Sequence, residues 1–294
     1  MPAPTLSGVL IDLHTHSTAS DGTDSPAGLV SAVAAAGVAA VALTDHDTTA
    51  GWAGAADQAE REGVLLLPGA EVSCRVDGVT VHLLSYLHDP AEPALAETLT
   101  ESRSVRLHRA RRMTELLARD HPVTWDDVLA QAAEGATVGR PHVADALVAV
   151  GVVGSRDEAF ATLLADGSPY VVHHGAPHPV EAVRLVRAAG GVPVIAHAFA
   201  SARGRIVSEA VLEEMVDAGM AGVEVDHRDH SADARARLRD FATAHDLLTT
   251  GSSDYHGAGK QNRLAENTTS PAALERLLAL GTGTAPVGGL ATRP

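Results

Sequence analysis

His14 and His16 stand two residues apart at the end of VLIDLH, where the period-2 alternation of a strand puts both imidazoles on one face as a chelating pair. Alone, a His-x-His is more often a surface or structural feature. Further on, TDHDT supplies Asp45, His46 and Asp47, although Asp and Thr also suit a helix cap at that point. PGAEVS places Glu71 after a strongly apolar run, where a carboxylate is costly unless it is paired or bound to a metal. His82 lies inside VTVHLLSYL, His197 closes VPVIAHA, and Asp254 and His256 in GSSDYH repeat the spacing of the first pair. Six predicted strands thus deliver His, Asp or Glu at or near their C-terminal portions, the end where βα barrels build active sites. Nitrogen and carboxylate donors without thiolate suit manganese first, and zinc or iron next; their number exceeds what one ion needs and predicts a multinuclear centre.

The elements that must carry these residues follow from the rhythm of the chain. Short runs rich in Val, Leu and Ile alternate with Ala-rich helical segments. Strands are expected at 9–14, 38–45, 64–73 and 78–87, the last two joined by a turn at Asp77-Gly78, with helices at 26–37 and 49–63. From about 92 to 172 the pattern changes to consecutive helices, at 94–119, 124–133, 141–150 and 155–166. Alternation then resumes with helices at 179–190, 209–219 and about 231–245 and strands at 192–198, 222–227 and 247–256. The chain therefore divides into a barrel in two parts, 1–91 and 173–285, a helical insertion over 92–172, and a tail, 286–294, that is expected to fray.

Composition narrows the function. A net charge of -15, from 37 acidic and 22 basic residues, argues against a broad basic surface for long nucleic acid. A small anionic substrate would then need a local positive site, which bound cations supply. Cys74 is the one cysteine, so there is no intramolecular disulfide and no thiolate zinc cluster, and a reducing cytoplasm is the expected compartment. No apolar run approaches the roughly 18 residues of a membrane span, and no obligate protein partner is evident.

DLHTHSTASDG, LTDHDT, PGAEVS, VHLLSYL, VIAHA and GSSDYHG together resemble, in order, the successive motifs of the PHP (polymerase and histidinol phosphatase) superfamily of metal-dependent phosphoesterases. The resemblance implies an α/β fold, a distorted (β/α)7 barrel with a helical insertion, and two to three divalent metal ions. One position would be held by His14, His16, Glu71 and Asp254, a second by Glu71 as a bridge with His82 and His197, and a third by Asp21, His46 and His256. Asp21 occupies a place where many members have histidine, and Ala198 replaces a frequent proline. GRPHVADALVAVG, with the length and the insertion, resembles the stand-alone branch that includes nucleoside 3',5'-bisphosphate phosphatases, some of which are exoribonucleases on short RNA.

The expected activity is hydrolysis of nucleotide phosphate monoesters, a 3',5'-bisphosphonucleoside or a mononucleotide such as AMP, by a hydroxide held between metal ions. Trimming of short RNA from its 5' end and histidinol phosphate hydrolysis are the alternatives; with all ligands present and no polymerase attached, a non-enzymatic role is disfavoured. Arg140 and His142 lead as phosphate contacts, because an arginine fork binds phosphate bidentately. His174, beside His173 after YVV, and the loop residues Arg203 and Arg205 are further candidates. The run Arg103, Arg106, Arg109, Arg111 and Arg112, with Glu101 and Glu115 beside it, reads as a solvated helix face.

Overall fold

A computed structural model of the chain describes residues 8–172, 175–201 and 204–289. It is an α/β fold in which β1 (Leu10–Thr15), β2 (Val38–Leu43), β3 (Leu65–Val76), β4 (Val79–Tyr86), β5 (Val192–Ile195), β6 (Gly222–Asp226) and β7 (Leu248–Gly251) form one sheet in chain order. Pairing is parallel except where β4 meets β3 and β5. β3 and β4 are a hairpin through Asp77-Gly78, both at positive φ, as the two-residue turn requires. The sheet curls until its first and last strands meet. His16 N–H donates to Tyr255 O at 2.8 Å, and Thr269 fills the seam, giving its N–H to Ile11 O at 3.0 Å. The Thr269 hydroxyl donates to Gly251 O at 2.9 Å and accepts from Gly251 N–H at 3.1 Å.

Helices cover the sheet: α1 (Pro26–Ala35) and α2 (Trp52–Glu62) on the first strands, α7 (Pro179–Ala188), α8 (Glu209–Asp217), α9 (Ala232–Ala244) and α10 (Pro271–Leu280) on the rest. Their starts share one local device. Ser25, Glu92, His178 and Ser270 each cap a helix whose first residue is proline, which needs no N–H partner there. α10 was not anticipated, although Ser270-Pro271 carries the same signature as the others. Val287, inside the segment expected to fray, exchanges both backbone hydrogen bonds with Leu66 at 2.9 Å, so pairing to β3 holds the chain past 286. No described helix is long and apolar enough to cross a membrane.

Between β4 and α7 run α3 (Pro93–Leu117), α4 (Trp125–Leu129), α5 (Arg140–Ala149) and α6 (Arg156–Ala161). Most of this segment has its own apolar cluster, built on Met113, Leu117, Val128, Val143 and Leu147. α3 belongs to two cores, however: Leu95 and Leu99 pack with β3, β4 and α7, whereas Ala110 to Leu117 pack with the helical segment. Thr137 N–H reaches Ala19 O at 3.0 Å and so ties the helical segment to the loop after β1.

The seam gives a test of how the sheet closes. Thr269→Val keeps the shape but removes the hydroxyl, leaving both backbone groups of buried Gly251 without that partner. The expected cost is about 1–3 kcal/mol, measured as a lower denaturation midpoint; an unchanged midpoint would show that the seam contributes nothing.

Candidate metal centre

Nine side chains converge at one end of the sheet: His14 from β1, His16 just past it and Asp21 from the loop that follows, His46 after β2, Glu71 from β3, His82 from β4, His197 after β5, and Asp254 and His256 after β7. Glu71, 1% exposed, is the common neighbour. Its Oε2 lies 3.2 Å from His14 Nε2, 3.1 Å from His16 Nε2 and 3.3 Å from His46 Nδ1. Its Oε1 lies 2.6 Å from His82 Nδ1 and 3.2 Å from His197 Nε2. Asp254 Oδ1 stands 3.6, 3.5 and 3.5 Å from His14, His16 and His256. Asp21 faces His256 Nε2 at 3.3 Å, and His46 Nε2 and His16 Nδ1 at 3.7 Å.

The fit to metal ions rests on what these contacts are not. His46 Nδ1, His82 Nδ1 and His256 Nε2 are buried and make no hydrogen bond, although each lies within 3.3 Å of a carboxylate oxygen. Donor atoms that approach closely without aiming at one another share a point between them. Ligand bonds of about 2.0–2.2 Å put neighbouring donors roughly 3.0–3.5 Å apart, close to the separations around Glu71 and Asp254. The sets that can close on one ion are His14, His16 and Asp254; His14, Glu71 and His197; His46, Glu71 and His82; and His16, Asp21, His46 and His256. All nine anticipated residues are thus brought together, but the sets overlap, with His16 also facing Asp21 and His46 also facing Glu71.

A second ring of carboxylates orients the first, and of its members Glu224 was not anticipated from the sequence. Glu224 on β6 accepts from His14 Nδ1 at 3.1 Å and from His197 N–H at 2.8 Å, which turns His14 Nε2 toward the cluster. Asp45 and Asp47 hold loops: Asp45 accepts from Ser17 N–H and from the Ser17 and Ser20 hydroxyls, and Asp47 from Ser73 N–H and its hydroxyl, at 2.6–2.8 Å. Lys260 Nζ donates to Asp254 Oδ2 at 3.0 Å, and buried His227 brings Nε2 to 3.6 Å from the same oxygen. Glu224 and His227 sit in GVEVDH, a carboxylate within a strand and a histidine at its end, so the reasoning that found Glu71 and His197 applied to them equally.

The substrate candidates fare differently. His142 is buried, accepts from Gly139 N–H at 3.1 Å, and lines a cavity of about 200 Å³ with Asp21, Ser20, Asp145 and Arg156. Arg140 opens α5 and lies 5.4 Å over the Phe160 ring. Arg205 is exposed beside Gly78 at the β3–β4 turn rather than at the cluster. His173, His174 and Arg203 lie outside the described residues. The arginine run corrects the expectation of a solvated face. Arg103 donates to Asp47 O at 2.8 Å, Arg106 to the Ser73 hydroxyl at 2.8 Å and Arg109 to Val172 O at 2.7 Å, while Arg111 and Arg112 are exposed. Three-residue spacing turns the first three to one side of α3.

Electrostatics ties the cluster to pH. Burial opposes a charge on Glu71, yet it is held well below the usual carboxylate range by His82, His46 and His14. Against the same burial, Glu71, Glu224 and Asp254 raise His14 well above its usual value, and Asp254 and Glu71 raise His16 to about 9. Both imidazoles are therefore protonated at pH 7 before metal binds, and ligation must displace their protons. Adding Mn²⁺ at pH 7 should release at least one proton, read by calorimetry in buffers of different ionisation enthalpy, and affinity should climb from pH 7 to 9. Binding without proton release would contradict this arrangement.

Comparison with known proteins agrees with this geometry. A PHP domain model matches residues 12–142. The chain is 37% identical over 254 residues to a 3',5'-nucleoside bisphosphate phosphatase of Chromobacterium violaceum, covering 86% of this chain and 89% of that protein. It is 34% identical over 250 residues to a 5'-3' exoribonuclease of Haemophilus influenzae, covering 83% and 89%. A crystal structure from Bifidobacterium adolescentis, assigned as a metal-dependent phosphoesterase, superposes with a TM-score of 0.91 at 42% identity over 94% of this chain and 97% of that one. With histidines and carboxylates gathered from six of the seven strands or the loops after them, and relatives aligned along most of its length, the chain belongs to the PHP domain family.

Proposed function

We infer that this protein is a metal-dependent phosphoesterase that removes phosphate from nucleotides of mononucleotide size, a nucleoside 3',5'-bisphosphate or a mononucleotide such as AMP. The observation that carries the reading is Glu71, whose two oxygens face different sets of histidines. His14, His16, Glu71 and Asp254 would hold one ion, Glu71, His82 and His197 a second, and Asp21, His46 and His256 a third, with manganese the first expectation and zinc or iron the next. Clustered divalent ions, when bound, lower the pKa of water from roughly 16 toward about 7 and neutralise charge on phosphoryl oxygens.

The chain's own residues do the rest. Glu224 and Asp254 hold His14 in place from either side, so the donor atoms need not reorganise during turnover. Arg140 and His142 begin the helix that borders the cavity beside Asp21, where they can orient a phosphate ester. The names of the relatives support phosphate ester hydrolysis on nucleotides, the bisphosphate phosphatase more closely than the exoribonuclease. Trimming of short RNA is the second reading. It is favoured by the exoribonuclease relative and opposed by the charge of -15, against which a long polyanion would have to bind.

Glu71→Gln keeps the volume but removes the charge shared by two sets of ligands. Activity should fall by about a hundredfold or more, at the scale of losing a major electrostatic group, with bound metal reduced and the fold retained by circular dichroism. Full metal content and full turnover would refute the ligand assignment. Catalytic efficiency at fixed ionic strength and one metal loading should be higher for AMP and adenosine 3',5'-bisphosphate than for RNA, and should decline as RNA lengthens. A steady rise with length would instead establish the nuclease.

A further inference from the structure

Two carboxylates of the cluster, Glu71 and Asp254, use their oxygens differently. Glu71 has histidines at both, two facing Oε1 and three facing Oε2. Asp254 divides its oxygens between two kinds of partner. Its Oδ1 faces His14, His16 and His256 at 3.5–3.6 Å, whereas its Oδ2 accepts from Lys260 Nζ at 3.0 Å and faces His227 Nε2 at 3.6 Å. His227 Nδ1 accepts from Asp229 N–H at 3.1 Å, and an accepting ring nitrogen carries no proton, so the proton of that ring lies on Nε2, toward Asp254. Oδ2 is thus committed to donors, and Oδ1 is the oxygen left for a metal ion.

Lys260 reaches Asp254, six residues earlier, because the loop after β7 doubles back on itself. Gly257–Gly259 make one 3-10 turn, and Arg156 of α6 lies on Gly259, where a Cβ would meet Nη1 at 2.7 Å and Cζ at 3.0 Å. Asn262 Nδ2 donates to Ser253 O at 2.6 Å, Ser253 N–H to Asp12 Oδ1 at 3.0 Å, and His16 N–H to Tyr255 O at 2.8 Å. The backbone on both sides of Asp254 is therefore anchored by groups other than Lys260. What Lys260 adds is charge, carried to a buried ligand by a side chain 29% exposed.

The sign of that charge decides its effect. A carboxylate behind a ligand, as Glu224 stands behind His14, makes the ligand a stronger donor, and losing such a partner costs about 10–100-fold in metal affinity. An ammonium behind a carboxylate acts in the opposite sense: it draws on charge that the ion would otherwise share, and it repels the ion directly. The ion is held less tightly but keeps more of its own charge for phosphoryl oxygens. We propose that Lys260 is a positioning residue that commits Asp254 to ligation by one oxygen and, through its charge, lowers affinity for the ion held by His14, His16 and Asp254 while raising that ion's pull on the substrate phosphate. The effect on substrate rests on the proposed phosphoesterase function, and the effect on the ion rests on the donor set alone.

The test compares Mn²⁺-loaded wild type, Lys260→Met and Lys260→Arg, with Asp254→Asn identifying the ion concerned as the one whose binding that variant loses. Bound Mn²⁺ is titrated away with a chelator and counted by elemental analysis, and kcat and KM are measured on AMP and adenosine 3',5'-bisphosphate. Lys260→Met should retain that ion against about tenfold more chelator than wild type and lose about tenfold in kcat, with KM changed less. Lys260→Arg, which keeps the charge, should stay near wild type in both. A residue that merely braced the loop would give the reverse for the metal, so looser retention in Lys260→Met, or retention equal to wild type, would overturn the proposal. If circular dichroism shows that Lys260→Met does not fold, the wild-type amine itself answers, because the one lysine of the chain gives a single side-chain nitrogen resonance. Its protons should be protected from exchange in wild type and lose that protection in Asp254→Asn; free exchange in both would overturn the proposal. If wild type hydrolyses neither nucleotide, the proposed function fails, and the order of retention against chelator still decides what Lys260 does to the ion.

Discussion

A carboxylate sealed from water in the middle of a protein must be neutralised, and Glu71 imposes that requirement on everything around it. Five imidazoles answer it, two at Oε1 and three at Oε2. They come from four other strands or their ends, so the cluster cannot exist unless the sheet is curled and its register is correct. The antiparallel hairpin is what admits His82: it sets Ser73 opposite His82, so both Glu71 and His82 reach the centre from adjoining strands. The seam at Thr269 and the bond from His16 to Tyr255 bring β1 and β7 near enough for His14, His16, Asp254 and His256 to meet.

The loops that complete the centre bear backbone strain. Asp47, His197 and Asp254 adopt positive φ, at 54°, 29° and 54°, which non-glycine residues resist. In each case a nearby polar bond offsets the cost: Asp47 grips Ser73, His197 N–H is held by Glu224, and Asp254 by Lys260. The second ring is therefore part of how the donors are fixed, beyond its effect on charge. Lys260 is the chain's one lysine, and its ammonium is placed at a proposed ligand.

Much of this was legible in the sequence because strand ends announce themselves. An apolar run that closes on His or Asp specifies both an element and a position, and His14, His16, His197, Asp254 and His256 were found that way. Glu71 was found because a carboxylate deep in an apolar strand has few uses. Glu224 has the same context in GVEVDH but was passed over, since its partner is a histidine of β1, far away in the chain. The arginines of α3 were misjudged for a related reason. Spacing along a helix says which side chains share a side, not whether water or another core lies opposite. The partners of Arg103 and Arg106, Asp47 and Ser73, are fixed only once the helix crosses the barrel's end.

α3 is a single 25-residue helix rooted in both apolar cores. A continuous helix transmits rotation but does not fold in its middle without breaking consecutive backbone hydrogen bonds. The helical segment is thus carried on a fixed beam: its attachment does not swing out as a hinged door would, and a substrate entering beside it would pass between the beam and the rim of the barrel. Width of passage then becomes a property of the short loops at the rim, such as the stretch around Thr137 that is pinned to Ala19. Selection by size would be built into the architecture before any phosphate meets a charged group.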